Sequence, residues 1–315
     1  MSSPSTTIGP EGGPAGVIHD IGYRHYTGSR LGRGYGVRSL YVHSLRTAYG
    51  LGRPAAAKIF PWGVFALLMS VAAILVAVQA QFGVADERVF TYWGFPVQVG
   101  VTLLILLFCA VAAPGMVCRD LRGGVLQLYF SRPLLRADYP LAKWAALVSA
   151  IFLTVLGPLL LLFLGTAFTL DSMADVWDEF VLFSQGLVVA AIMAALFAAL
   201  SLLISSLSGR RAVASALVAG YFILTTPVLG VLEGIAYGTS NGEPTGGMLQ
   251  LAQLAFLVSP FTIVSGLAGW LFGGDVLSED MPQIGPYGPL YLFVTLGMIV
   301  VCMLLTLLRF RKVAR

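Results

Sequence analysis

Long apolar runs alternate with short polar joints along this chain, and the runs set the first expectation. A helix that crosses the hydrocarbon core of a bilayer needs about 20 predominantly apolar residues. Six runs meet that requirement: 60–81, 96–117, 144–170, 181–207, 212–235 and 289–308. They predict six transmembrane helices and an all-α polytopic membrane protein. A seventh run, 249–272, is interrupted by Ser259-Pro260. Proline disfavours helical geometry in the residue before it. The pattern therefore predicts two short helices that enter the outer leaflet and return, a re-entrant segment before span 6. A continuous seventh span is the alternative, and it would put the terminal "RFRKVAR" on the opposite side from the other basic segments.

The charges give these spans a direction. With the N-terminal segment inside, only Arg88 of the 19 Lys and Arg residues falls outside. Basic residues collect on the cytoplasmic side of membrane proteins. Cytoplasmic N- and C-termini in the cell (plasma) membrane are therefore expected. Asp171, Asp175, Asp178 and Glu179 fall between spans 3 and 4, and Glu243, Asp275, Glu279 and Asp280 precede span 6. They read either as a cation-attracting vestibule or as solvated loop charge.

Composition agrees that lipid is the bulk solvent. The chain is 57% hydrophobic and 11% charged, against roughly 25% charged in soluble domains. The net charge of +4 follows from topology and gives no reason to expect nucleic acid. Cys109, Cys118 and Cys302 form no CxxC or Cys/His cluster, so neither a disulfide framework nor zinc is indicated; buried small side chains are expected. The opening "MSSPSTTIGPEGGPAG" lacks the basic and apolar regions of a signal peptide. A flexible cytoplasmic tail is expected over 1–36.

Before span 1, Val37, Leu40, Tyr41, Ser44 and Ala48 share one helical face, while Arg38, His43 and Arg46 lie elsewhere around it. This predicts an amphipathic interfacial helix, an elbow, over 37–58, its arginines near anionic headgroups. An ordinary cytoplasmic helix is the other reading. The transmembrane domain would occupy 59–308, and 309–315 a basic cytoplasmic tail.

The connection between spans 2 and 3, "RGGVLQLYFSRPLLRADYPLAK", is cytoplasmic in this topology. Gly123-Gly124 breaks the helix leaving span 2, because glycine costs about 1 kcal/mol there relative to alanine. "VLQLYF" is a short amphipathic segment, Pro133 enforces a turn, and Lys143 with Trp144 would mark the start of span 3 as interfacial anchors. The stretch resembles the coupling segment of ABC-2 type transporter permeases. In that family an acidic residue is followed by Gly, a run of Leu, Ser-Arg-Pro, Arg, an aromatic and Lys. Asp120, Gly124, Ser131, Arg132, Pro133, Arg136, Tyr139 and Lys143 fill those places, with Leu126 and Leu128 between. Ala142 stands where the family often has glycine, and Asp120 is flanked by Arg119 and Arg122 where the family has further acids.

The resemblance extends over most of the chain, through the six spans, the elbow and the broken outer segment. "IHDIGYRHYTGSRLGRGY" is similar to actinobacterial members. It implies the permease subunit of an ATP-driven exporter, with a coupling helix docked on a separate ABC ATP-binding subunit that holds ATP and magnesium. A second permease, as a homodimer or a related heterodimer, would complete it within membrane lipid. Asp120 would pair with a basic residue of the ATPase, and Arg132 and Arg136 with its carboxylates, through charge-assisted bonds. A plainer reading of the same charges is that they cap helix ends and hold topology.

This chain itself is not expected to be an enzyme. No GxxxxGK[ST] pattern occurs, and Lys58, Lys143 and Lys312, its only lysines, follow no glycine-rich loop. No HExxH and no GxSxG with partners occurs either, so no catalytic residue, metal site or resident cofactor is expected. Glu233, near the outer end of span 5, is the one acid within reach of hydrocarbon. It is a candidate for the transport path or gate, together with Pro260; a solvated helix end is the alternative for Glu233. The lack of mid-membrane carboxylates points away from proton or sodium coupling and towards an apolar or amphipathic substrate. A non-transporting sensor or regulatory subunit is the second functional reading, and an ATP-independent secondary transporter the third. Gly157-Pro158 and Thr226-Pro227 are predicted to kink spans 3 and 5, and the alanines of span 4 to permit close helix approach.

Overall fold

The computed structural model describes residue 28 and residues 31–82, 90–130, 134–170, 172–238, 247–273 and 284–313. In chain order the helices are α1 (Arg33–Ala48), α2 (Ala56–Phe82), α3 (Gly94–Val97), α4 (Val99–Arg122), α5 (Leu126–Phe130) and α6 (Asp138–Ala167). There follow α7 (Met173–Ser206), α8 (Arg211–Gly238), α9 (Gly247–Ala255), α10 (Pro260–Phe272) and α11 (Gly288–Val313). Among the described residues there is no strand. Among the described residues, six helices are long and apolar enough to cross a membrane: Ala56–Gln81, Val99–Arg122, Asp138–Ala167, Met173–Ser206, Arg211–Leu232 and Gly288–Arg311.

Helix α7 is the axis of the bundle. It packs on α4, α6, α8, α10 and α11, and Ala190, Ala194, Ala198 and Ala199 on it are fully buried. Small residues let backbones approach where lipid supplies no hydrophobic drive between helices. Helix α4 is also largely enclosed. By contrast α2, α8 and α11 present large apolar side chains outward, Ile74, Leu224 and Phe293 among them; this is the surface that a bilayer covers.

Two boundaries differ from the sequence expectation. Helix α7 begins at Met173 and not at 181, so Asp175, Asp178 and Glu179 lie on a helix instead of in a loop, and Glu179 is buried. The Ser172 hydroxyl caps this start by accepting the Asp175 N–H at 3.1 Å, and acids in the opening turns suit the positive end of the helix dipole. Asp171 and residues 243, 275, 279 and 280 lie outside the described residues. Helix α1 begins at Arg33 and ends at Ala48, with a turn before α2 in place of one helix over 37–58.

The face predicted for α1 is the buried one: Leu40, Ser44 and Ala48 are enclosed, with Val37 and Tyr41 partly so. It is covered by α6. Tyr41 donates to Ser149 Oγ at 2.8 Å, and Tyr49, just past the helix, donates to the Ala150 carbonyl at 2.8 Å and meets Thr154 Oγ1 at 3.0 Å.

The seventh apolar run is two helices. Ser259 takes an extended conformation (φ −105°, ψ 130°) between a 3₁₀ turn at Phe256–Val258 and α10. Pro260 occupies the first turn of α10, where its missing N–H leaves no bond unmade. The Thr262 hydroxyl closes the break on the carbonyls of Phe256 (2.6 Å) and Ser259 (3.1 Å). With 13 residues, α10 is too short to span. Helices α6 and α8 continue through Pro158 and Pro227.

Close packing at one glycine yields a test. A Cβ on Gly186 of α7 would stand 2.7 Å from the Tyr92 carbonyl oxygen and 3.0 Å from its carbon. Backbone cannot swing aside as a side chain can. Gly186→Ala should destabilise the purified protein by about 1–3 kcal/mol, read as a lower Tm, whereas Gly220→Ala, with nothing within 4 Å, should not lower it.

Candidate functional site

The connection between α4 and α6 begins with a forced turn. Helix α4 ends at Arg122, and Gly124 adopts φ +62°, in the left-handed region where a side chain is strained. Helix α5 then projects Leu128 outward, 67% exposed, while Leu126 is buried against the bundle. Ser131, Arg132 and Pro133 lie outside the described residues. Leu135 and Arg136 are exposed.

Asp138 opens α6. Its carboxylate accepts the Leu135 N–H at 2.9 Å and a two-pronged bond from Arg33 of α1, Nε to Oδ2 at 2.8 Å and Nη2 to Oδ1 at 2.6 Å. Such paired geometry is the strong form of an arginine–carboxylate contact. The hydrogen bond to Asp138 pushes the Arg33 guanidinium above its ordinary pKa.

From the next residue inward, α6 turns two side chains towards α4. Tyr139 and Lys143 lie four residues apart and so share a face; both are buried. The Lys143 ammonium stands 2.9 Å from Asp120 Oδ2 and donates to the Met116 carbonyl at 2.8 Å. The Tyr139 hydroxyl donates to the same Asp120 oxygen at 2.8 Å, and its ring lies 5.3 Å from the ammonium. Phe310 of α11 covers that ring, centroids 5.0 Å apart. An unpaired buried ammonium would cost several kcal/mol. Here a carboxylate, a carbonyl and an aromatic face share the charge.

The end of α7 is tied down beside this cluster's neighbours. Arg309 of α11 donates to the carbonyls of Ser206 (2.5 Å) and Leu207 (3.2 Å), and the Cys118 thiol to that of Ser208 (3.2 Å). The carbonyls of Ser206 and Leu207 are ones that a helix end leaves without intrahelical partners. All three cysteines are buried and free. Among the described residues no group of His, Cys, Asp and Glu is arranged to hold a metal ion.

Of the residues singled out from the sequence, the structure brings together Asp120, Tyr139 and Lys143, with Gly124 at the exit of α4. Arg136 lies at the exposed outer part of the connection. Glu233 is carried by α8, its side chain outside the described residues, and Pro260 starts α10, apart from this cluster. Lys143 is not an interfacial anchor: α6 starts at Asp138, and the ammonium is drawn into the bundle by Asp120. Trp144 likewise points inward, donating to the Ala195 carbonyl at 3.3 Å. The basic partner expected for Asp120 on another protein is supplied within this chain. Arg33 and Phe310 had no sequence signal, because each reaches the site from a distant segment; Asp138 had only its place at a helix start.

The family model for ABC-2 family transporter proteins matches residues 62–314. The chain belongs to this ABC-2 transporter family. It is accordingly a multi-pass membrane protein and an ABC permease subunit, not itself an ATPase, and it works with an ABC ATP-binding partner. No curated protein matches the chain. The match covers Asp120, Tyr139 and Lys143 but not α1, so Arg33 lies outside the matched segment.

Removing both members of the Asp120–Lys143 pair should cost less than the two single removals added together. Asp120→Asn and Lys143→Met, each alone, should lower stability by about 3 kcal/mol, since each strands a charge or its partners. The double variant should lose less than the sum of the two. Thermal denaturation of the four proteins in detergent measures this coupling; additive losses would show that the pair does not act as a unit.

Proposed function

We propose that this permease exports an apolar or amphipathic substrate, driven by ATP and magnesium held on its ABC ATP-binding partner, which docks at the 123–143 connection. One observation carries the reading. The connection is fastened to both spans at its roots, through Asp120, Tyr139 and Lys143, while Leu128, Leu135 and Arg136 at its outer part stand exposed. Push on such a loop, and α4 and α6 move with it. The division of labour then differs from the one the motif implies. Asp120, Tyr139 and Lys143 secure the roots, Gly124 sets the turn, and Ser131, Arg132, Pro133 and Arg136 meet the ATPase.

The charges of the six spans support the substrate class. Those described lie within the first or last two turns of each helix, which leaves the middle of the bundle apolar. The proposed orientation places both termini in the cytoplasm at the plasma membrane, with α1 as the elbow beside α6. A second permease, identical or related, completes the path within the lipid. Glu233 and Pro260 are the proposed outer gate; the contact of Thr225 on α8 with Ser259, at 3.3 Å, joins span 5 to the break before α10.

Pull-down of the tagged, detergent-solubilised permease from its co-expressed ATP-binding partner tests the reading. The native chain should bring down ATPase activity, and Arg132→Glu/Arg136→Glu should lose most of it while inserting normally. Retention of full activity by the double variant would remove the connection from the interface. An intact complex that supports no substrate flux in liposomes would favour the sensor reading instead.

A further inference from the structure

Helix α1 is fastened to the connection between α4 and α6, and the fastening is polar. Positions 33, 37, 40, 44 and 48 fall on one face of α1, so Arg33 points the same way as the buried Leu40, Ser44 and Ala48. That face meets α6 and the stretch just before it. Arg33 holds Asp138 with two bonds, at 2.8 and 2.6 Å, and a Cβ on Gly36 would stand 3.2 Å from Leu134 of the connection. Tyr41 bonds Ser149 at 2.8 Å, and Tyr49 bonds Ala150 at 2.8 Å and meets Thr154 at 3.0 Å. Partner numbers rise together along the two helices. Helix α1 therefore runs beside α6 in the same direction, as a splint from the connection to the level of Thr154.

The far end of the splint is joined to span 1 by a bonded turn. The Leu51 N–H donates to the Arg46 carbonyl at 2.8 Å, the Arg53 N–H to Gly50 at 3.3 Å, and the Ala57 N–H to Pro54 at 2.9 Å. Gly50, with φ +67°, lies so close to the Ala57 carbonyl that a Cβ there would collide with it. The Tyr49 ring packs on Trp62 of α2 and on Phe108 of α4, with centroids 6.2 and 5.9 Å away. A hinge needs residues that absorb changes in φ and ψ. This turn is held by its own bonds, so it passes movement on.

In sequence the connection is continuous with α4 and α6 alone. Through Arg33 it also reaches α1, and through α1 the inner end of α2. Helix α2 packs on α6 directly as well, with Phe65 against Gly157 and Val76 against Gly165. Such apolar contacts can slide. A two-pronged arginine–carboxylate pair has a set length and direction.

We propose that Arg33 is a positioning residue of the coupling step: by gripping Asp138 it makes α1 a splint that carries movement of the 123–143 connection to span 1. The inference rests on the reading that the ATP-binding subunit docks at that connection. It adds a third driven span to the two that the connection joins, through a helix outside the matched family segment.

The test uses the full-length permease in complex with its co-expressed ATP-binding partner, with the three native cysteines replaced by alanine and pairs of spin labels on introduced cysteines. Distances are read without nucleotide and after trapping with ATP, magnesium and vanadate. Leu153→Cys with Val213→Cys reports α6 against α8, and Lys58→Cys with Val213→Cys reports α2 against α8; all three positions are exposed. In the native chain both distances should shift on trapping. Arg33→Gln should lose most of the α2 shift while keeping the α6 shift and the bound ATPase, and Arg33→Lys, which keeps the charge without the paired bond, should retain part of it. An unchanged α2 shift in Arg33→Gln would show that packing on α6 suffices and would overturn the splint. A native chain in which α6 moves and α2 does not would overturn it too, and leave the docking reading standing. Loss of both shifts in Arg33→Gln would place the arginine in docking and not in transmission, again against the splint. If neither distance shifts in the native chain, the docking reading falls and the splint with it.

Discussion

Water leaves the Lys143 ammonium as α4 and α6 come together, and the architecture around it follows from replacing that water. Hydrocarbon tolerates a charge only when other groups take over its solvation. The Asp120 carboxylate and the Met116 carbonyl do so from α4, Tyr139 does so from α6 itself, and Phe310 of α11 closes the aromatic side. Three spans therefore meet at one cation. Their geometry at this end is set by bonds of fixed length, whereas the apolar contacts elsewhere in the bundle tolerate sliding.

A second ion pair extends the same constraint outward. Arg33 grips Asp138 where α6 begins, so α1, α4 and α6 are joined within two turns of one helix. Between the two pairs the connecting segment has little freedom at its roots. Farther out, Leu128, Leu135 and Arg136 are exposed. An anchored base with exposed side chains beyond it is what the proposed docking of the ATP-binding partner calls for, and the anchoring arises from electrostatics.

Much of this was legible in the sequence, for physical reasons that can be named. Span length follows from bilayer thickness, so six helices could be counted from apolar runs alone. The break at Ser259-Pro260 was legible because proline constrains its predecessor whatever the surroundings. The face of α1 was legible from its period, although that α6 covers it was not. Other features depend on what folding brings near. Asp175 to Glu179 look like loop residues until the Ser172 cap starts a helix ahead of them. Lys143 looks like an anchor until Asp120 is known to lie 2.9 Å away. The Arg33–Asp138 pair spans a separation of 105 residues, and no local pattern reports on it.

The contacts made by the end of α11 have a consequence for biogenesis. Arg309 occupies the last carbonyls of α7, and Phe310 shields Tyr139 over the buried cation. Both belong to α11, the last of the six described spans in chain order. Until that span inserts, a nascent chain carries an open α7 terminus and an incompletely shielded ammonium, even with five helices in the membrane. Closure of this end of the bundle thus depends on α11, and a chain truncated before Arg309 would leave uncovered the polar groups that α11 satisfies or shields.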